Sequence, residues 1–581
     1  MRHALFVLFV SARAAAELAT FHVLDESGTP TPARLEVLDA LGVPYVPDLA
    51  LPIDLACPSE PVPNDAPGCA TGFKVSNYLD NPITGTRQFY SDGTFTLELP
   101  PGRYTLGATK GLEHLAVKQA FEVAKKTGAQ VTVTLKRWSN LPSRGWFSAD
   151  DHLHIQRLSP TDDAELTTLA QAEDLNVANL IQIGNEQAFV NAVQYAFGDT
   201  GAWLTGDTLL LSGQEHPRTH LFGHTLILGA SEPIDVRETY SVYDTFFALA
   251  GALGGVSGYA HWGLGAGQLG LALDAPKRRI SFIEVLQFEY PHYEVWYQTL
   301  NLGFPLAPTA GTDFPCGPYS VPGRERFYVR VNGKLSRASW LEGLKAGRTF
   351  VTNGPLIDFH VGDAELGDQL TLAAAGTVAI HATITFDPAR DTVKRVTLIR
   401  NGEPTELKPT TVAPGVLSVD TMVRVAESSW FALRVSGDKL GETPLTSQGY
   451  SNVATSLAST YSAGVSMTER ETFAGTAGVR PSEAHTAAIW VTLSSGPAVE
   501  RQPRSHVIAR EWLERLDVLE AKLKDENIGT LQLPLWALPN SDAVNVTTLL
   551  KNRERLRELI LESRAYFKAL GPGPAPVLQK R

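Results

Sequence analysis

The chain has 581 residues, which at roughly 100 to 200 residues per domain implies about three to five folded units. Its 62 acidic and 50 basic residues leave a thinly spread net charge of −12, which excludes the basic footprint of a nucleic-acid-binding protein. The composition, 43% hydrophobic and 19% charged, is that of a globular chain; no apolar run approaches the roughly 20 residues of a bilayer-spanning helix, so no integral membrane segment is expected.

The opening Met1-Arg2-His3, the apolar run at 4–10 and the small residues up to Ala16 predict an export signal over 1–18 and a periplasmic or extracellular location. A buried first strand is the alternative. Cys57 and Cys69 bracket a Pro-rich loop; a bridge there would add on the order of 3 kcal/mol and suit an oxidising compartment, with reduced thiols the other reading and Cys316 left over. Over 19–138, short alternating runs at 20–24, 33–37 and 92–99 read as a β-sandwich. The segment 92–105, ending Leu-Pro-Pro-Gly-Arg-Tyr-Thr, resembles the transthyretin-like modules found beside secreted enzymes, which makes this region a scaffold.

From 139 to 355 the pattern changes. Strand-length apolar runs at 176–183, 209–212, 225–228, 256–260 and 282–288 alternate with amphipathic stretches such as 163–175 and 243–253, which predicts an α/β barrel or layered α/β domain. A second β domain of immunoglobulin-like aspect follows over 356–500, with strands at 378–384, 393–401 and 430–435. Helical spacing then returns over 501–570, where Leu549, Leu550, Leu556, Leu559 and Ile560 recur on one face, and 571–581 is a Pro/Gly-rich tail.

Seven of the 14 histidines fall between His152 and His292, several of them at strand ends. In Asp151-His152-Leu153-His154 two imidazoles at i and i+2 share a strand face and can reach one cation at about 2.1 Å. Gly213-Gln214-Glu215-His216 puts a carboxylate just past a strand, Gly223-His224 opens the next, Tyr259-Ala260-His261-Trp262 ends another, and Ala310-Gly311-Thr312-Asp313 places an acid after the last. Taken singly, the His152/His154 pair reads equally well as structural, and the Glu215, His224 and His261 motifs read better as a solvated acid and packed histidines. Together, nitrogen and carboxylate donors at five strand ends suit zinc, manganese or iron(II) better than magnesium or calcium. Two such ions can acidify a bound water and polarise a scissile group, which makes hydrolysis the natural chemistry. The chain has no Gly-x-Ser-x-Gly elbow and no Gly-x-x-x-x-Gly-Lys loop, so serine-nucleophile and P-loop nucleotide classes drop out.

In this order the motifs resemble the polymerase-and-histidinol-phosphatase (PHP) superfamily, in particular its carbaryl-hydrolase-like CehA/McbA branch. The likeness covers 92–103, 145–154, 172–177, 215–229, 260–261, 296–313 and 346–355, and reaches Ser429-Trp430 and 484–486. It implies a multi-domain α/β plus β protein: a distorted seven-stranded (β/α) PHP-type barrel flanked by the sandwich and the immunoglobulin-like domain, with C-terminal helices. By that resemblance His152, His154, Glu215 and Asp313 hold one ion, and Glu215 bridges to a second held by His224 and His261. A third site of fuller members is depleted here. Pro315 stands where a histidine is expected, a strand-end histidine is replaced around Asn185, and 159–163 offers only carboxylates and hydroxyls.

The implied activity is a metal-dependent hydrolase with a dinuclear Zn, Mn or Fe centre, in which a metal-bound hydroxide cleaves a phosphoester, amide or carbamate-like bond of a small-molecule substrate. Glu215 and Asp313 are its catalytic acids, and Arg348, or Arg326, is a planar donor to the substrate oxygen, with surface arginines as the alternative. His216 and His220 are candidate neighbours of the site, and His485 reads as a turn cap. A protein of another class, a weakly catalytic binding or adhesion protein with a relic barrel, is the competing expectation.

Overall fold

The computed structural model describes residues 16–56, 73–81, 86–184, 189–219, 221–260, 268–287, 290–291, 293–315, 321–391, 393–437, 482–524 and 547–571. Residues 1–15, all three cysteines, Asn185, His220, His261, His292 and the tail beyond Gly571 lie outside them. The first strand, Glu17–Leu24, already begins inside the segment assigned to the export signal, because Glu17 and Leu18 pair with Leu99 and Glu98.

Alternation of apolar and polar residues builds the N-terminal sandwich. Glu17–Leu24 lies between Ala129–Thr134, parallel, and Thr94–Leu99, antiparallel. The facing sheet runs in the order Val117–Val123, Gly102–Thr109, Ala33–Asp39, Thr86–Ser91 and Leu79–Asn81. Its core is aromatic: Phe21 stacks on Phe95 at 4.5 Å and Phe89 meets the same ring edge-on at 5.2 Å. The sandwich is anchored by a buried ion pair, since Arg34 Nε donates to Glu173 Oε1 at 2.7 Å and Tyr90 OH to the same oxygen at 2.6 Å.

The central region is built on strands β1 (Trp146–Leu153), β2 (Val177–Gly184), β3 (Thr208–Thr219), β4 (Gly223–Leu228), β5 (Val256–Tyr259), β6 (Phe282–Gln287), β7 (Ala307–Ala310), β8 (Arg326–Arg330) and β9 (Thr349–Thr352). The pairs β1–β2, β2–β3, β5–β6 and β6–β7 are parallel, and β4 is antiparallel to both β3 and β5. Just past β7, Phe314 bridges back to Leu153 in parallel, so the sheet curls from its seventh strand to its first. Helices α1 (Asp162–Ala172), α2 (Tyr243–Ala252), α3 (Gln268–Asp274), α4 (Tyr293–Asn301) and α5 (Arg337–Lys345) intervene between strands. Strands such as β2 and β6 are buried along their whole length, as expected where both faces are covered.

The sheet does not stop at the edge of this region. β9 pairs with Glu483–Thr486, which joins Ser429–Gly437 and Val393–Arg400 in one continuous ladder. A separate four-stranded sheet, ordered Leu356–Val361, Gly376–Thr385, Val416–Val425 and Thr410–Ala413, shares with that ladder a core of Ile380, Ile384, Leu398, Phe431 and Leu433. The C-terminal helices α6 (Pro503–Lys524) and α7 (Arg553–Ala569) bury Trp512, Leu516, Leu556 and Ile560 in the same core cluster as Leu271 of α3 and Trp296 of α4. The molecule is thus a strand-rich α/β protein with several sheets and few helices.

Candidate metal centre

The candidate residues are placed by backbone irregularities. The β1–β2 ladder jumps between Asp150 and Leu153, β3–β4 between Glu215 and Arg218, and β6–β7 between Glu284 and Leu286. Such bulges re-aim side chains, and each one here adjoins a side chain of the cluster. Asp150 then ties two elements together. Its Oδ1 accepts the N–H groups of His152 (2.9 Å) and Thr312 (3.1 Å), and its Oδ2 accepts Thr312 Oγ1–H (2.6 Å) and Gly323 N–H (2.8 Å). Burial pushes the Asp150 carboxyl up, against the pull of these four bonds. Gly311 is required by close approach, since a Cβ there would stand 2.4 Å from Asp151 Oδ1 and 2.6 Å from His152 Cβ. Asp313 follows with a positive φ of 51°, a sparsely populated conformation for a non-glycine residue and one that recurs at ligand sites.

These devices bring five side chains together. His152 Nε2 and His154 Nε2 are 3.1 Å apart, and Asp313 Oδ1 lies 3.5 and 3.0 Å from them. Glu215 Oε2 stands 4.0 Å from His152 Nε2 and 3.6 Å from His154 Nε2, while its Oε1 is 2.6 Å from His224 Nδ1. Arg218 Nη1 lies 3.5 Å from Glu215 Oε2. The side chains of His152, His154 and Glu215 are buried, whereas those of Asp313 and His224 are 14% exposed, so the cluster opens on that side.

The chemistry of the donors decides what fits. His154 Nδ1 is 2.9 Å from the Ile181 carbonyl, which only accepts, so Nδ1 carries the proton and Nε2 the lone pair. His152 Nδ1 lies 3.3 and 3.4 Å from the two Glu284 carboxylate oxygens, whose charge favours a proton on Nδ1 over the competing Gln287 Nε2 donor at 3.4 Å. Two bare imidazole nitrogens and the Asp313 carboxylate oxygen therefore crowd one point. A single proton bridges only one of these contacts; a divalent ion relieves all of them. Four ligands at about 2.1 Å around a tetrahedral ion stand roughly 3.4 Å apart, in the middle of the observed spacings. His152, His154 and Asp313 thus form a group able to hold a metal ion, with Glu215 beside it.

The remaining sequence candidates fall elsewhere. His261 lies outside the described residues; Ala260 just before it donates its N–H to the His224 carbonyl at 3.0 Å. Arg348 is not at the cluster. Its carbonyl accepts from Arg330, which pairs with Trp146 at the start of β1, and His152 is six residues further on, roughly 20 Å at 3.3 Å per residue. Its guanidinium faces Glu342 at 3.8 Å instead. Arg326 is spent on the carbonyls of Gly323, Asp174 and Glu173. His216 turns away into Phe189, Tyr240 and Phe246, and burial pushes it down to about 4. His485 bonds Tyr297 OH at 2.6 Å and packs against a tilted Tyr293 ring and the edge of Trp296, with burial pushing it down to about 3; it packs an interior rather than capping a turn.

In 159–163, Asp163 is held by Arg157 and Tyr195, and Asp162 accepts the N–H groups of Leu158 and Ser159. Sequence reasoning passed over Asp150, Arg218, Glu284 and Gln287. Glu284 and Gln287, three apart in the buried β6, had one available signal: two polar residues inside an otherwise apolar strand. Asp151 is buried behind them, its carboxyl pushed well above the ordinary range by burial and by the Glu284 charge. No protein-family model matches the chain, and neither the curated proteins nor the solved structures give a match.

Proposed function

We propose that the chain is a metal-dependent hydrolase of the PHP type, with its active site at the cluster on the curled central sheet. The observation that carries this reading is the convergence of His152 Nε2, His154 Nε2 and Asp313 Oδ1 within 3.0–3.5 Å of one another. The strand order, with seven consecutive strands and a return from Phe314 to Leu153, supports a distorted barrel of that type. The face-to-face sheets of 356–493 support an immunoglobulin-like region beside it.

His152, His154, Asp313 and Glu215 would hold a first divalent ion, and Glu215 with His224 a second, to which the family resemblance adds His261. A bound divalent ion supplies Lewis acidity and lowers the pKa of an attacking water. Glu284 and Ile181 keep the two imidazoles in the ligand tautomer, which His⁺ would abolish. Asp313, more exposed than Glu215, faces the open side, orients the water and accepts its proton at Oδ2. Arg218 beside Glu215 takes the planar-donor role that sequence reasoning gave to Arg348, and its charge favours an anionic ester such as a phosphoester over a neutral carbamate.

The test pairs metal analysis of the purified chain with hydrolysis of p-nitrophenyl phosphate, diester and carbamate panels, with and without Mn²⁺ or Zn²⁺. Bound metal and turnover are expected, with the first ion lost and turnover reduced at least a hundredfold by His152→Ala with His154→Ala. Metal-free protein inert under every condition would instead support the binding or adhesion reading.

A further inference from the structure

The outer face of the four-stranded sheet carries a second set of ligand-type side chains. Register sets His360 of Leu356–Val361 directly opposite His381 of Gly376–Thr385, and His381 directly opposite Asp420 of Val416–Val425. The neighbours Phe359, Val361, Ile380 and Ala382 point into the core, so by the two-residue strand period these three point outward. His360 Nε2 lies 2.9 Å from Asp358 Oδ1, and His381 Nδ1 lies 2.6 Å from Asp420 Oδ1. Ser418 Oγ donates to the other Asp420 oxygen at 2.9 Å and holds that carboxylate in place.

A carboxylate only accepts, so each one draws the imidazole proton onto the nitrogen it holds. The lone pairs are left on His360 Nδ1 and His381 Nε2. This is how ligand histidines are prepared in metal proteins, with the non-ligating nitrogen donating to a carboxylate. Directly opposed residues of an antiparallel pair have Cβ atoms about 4.5–5.5 Å apart. On an open face, two imidazoles at that spacing reach a common ion with bonds of about 2.1 Å by side-chain rotation. A thiolate-free pair of imidazoles selects zinc, copper(II) or nickel(II) over calcium and magnesium.

We propose that His360 and His381 chelate a borderline divalent cation across adjacent strands of this sheet, with Asp358 and Asp420 as positioning carboxylates and water completing the shell. Such a site clips two strands together and exchanges its ion readily, unlike the buried central cluster.

Calorimetric titration of the metal-depleted full chain with zinc chloride tests it. A weaker class of site, distinct from the central one, is expected; His381→Ala should weaken it at least tenfold, and Asp420→Asn by less. The His360 and His381 side chains are 34% and 53% exposed, so the thermal transition of the variants serves as a fold control and should not move. His152→Ala with His154→Ala should remove only the tighter class, which separates a failure of this proposal from a failure of the hydrolase reading. Absence of the weaker class in the unmodified chain, or its persistence with unchanged affinity in His381→Ala, would overturn the proposal.

Discussion

At the centre of the candidate site, the direction of one proton decides the chemistry. Glu284 faces His152 Nδ1, and Gln287 Nε2 stands 3.4 Å from the same nitrogen. Replacing the Glu284 carboxylate with an amide removes the charge that favours a proton on His152 Nδ1 and leaves a single accepting oxygen, with the shape unchanged. Glu284→Gln should therefore weaken zinc binding by about 10- to 100-fold, read by competition with a chromogenic chelator, with the thermal transition little changed. His152 and His154 were legible in the sequence because the strand period puts i and i+2 on one face. Glu284 was not, because a single acid in Phe-Ile-Glu-Val-Leu-Gln carries no spacing signal and shows its partner only when β6 is folded beside β1.

Among the elements, direction along the strand explains both what was legible and what misled. Alternating apolar runs revealed the strands, but not that β8 runs antiparallel to β1 and β9 antiparallel to β8, so that Arg348, just before β9, lies level with the start of β1 at the end of the sheet away from the cluster. The bulges at Asp150, Glu215 and Glu284 are likewise invisible in sequence, since a bulge is one unpaired residue without a residue-type signature. The contact of α3 with β5 has a measurable consequence. Asp274 accepts the Tyr259 hydroxyl at 2.7 Å, and burial pushes its carboxyl up from 3.8 to about 7; Asp244, Lys277 and Arg279 are the charged groups near it. Between pH 4 and 7 the folded chain holds this proton and the unfolded chain has released it, so the group subtracts stability as pH rises through that window. Asp274→Asn keeps an acceptor for Tyr259 without the charge. Its melting temperature, relative to the unmodified chain, should therefore rise progressively from pH 4 to pH 7; a constant offset across that range would contradict the argument.

For the whole molecule, the regions support one another. The sandwich is pinned by Arg34 and Glu173, the second β region extends the central sheet through β9, and α6 with α7 covers α3 and α4. Trp512 is the keystone of that cover. It is fully buried, donates its Nε1–H to Gln298 Oε1 at 2.8 Å, and meets Phe304 and Phe567. Trp512→Ala should destabilise the chain by about 3–5 kcal/mol in urea unfolding and leave zinc stoichiometry unchanged in the folded protein. The helical spacing near Leu556 and Leu559 announced these helices, but nothing local to 501–570 could say which face of the molecule they cover.

Anomalous diffraction at the zinc edge from crystals of the zinc-loaded chain tests the central claim most directly. A peak is expected about 2.1 Å from His152 Nε2 and His154 Nε2, with Asp313 Oδ1 in the same shell. A fully loaded crystal with no density between those three atoms would contradict it.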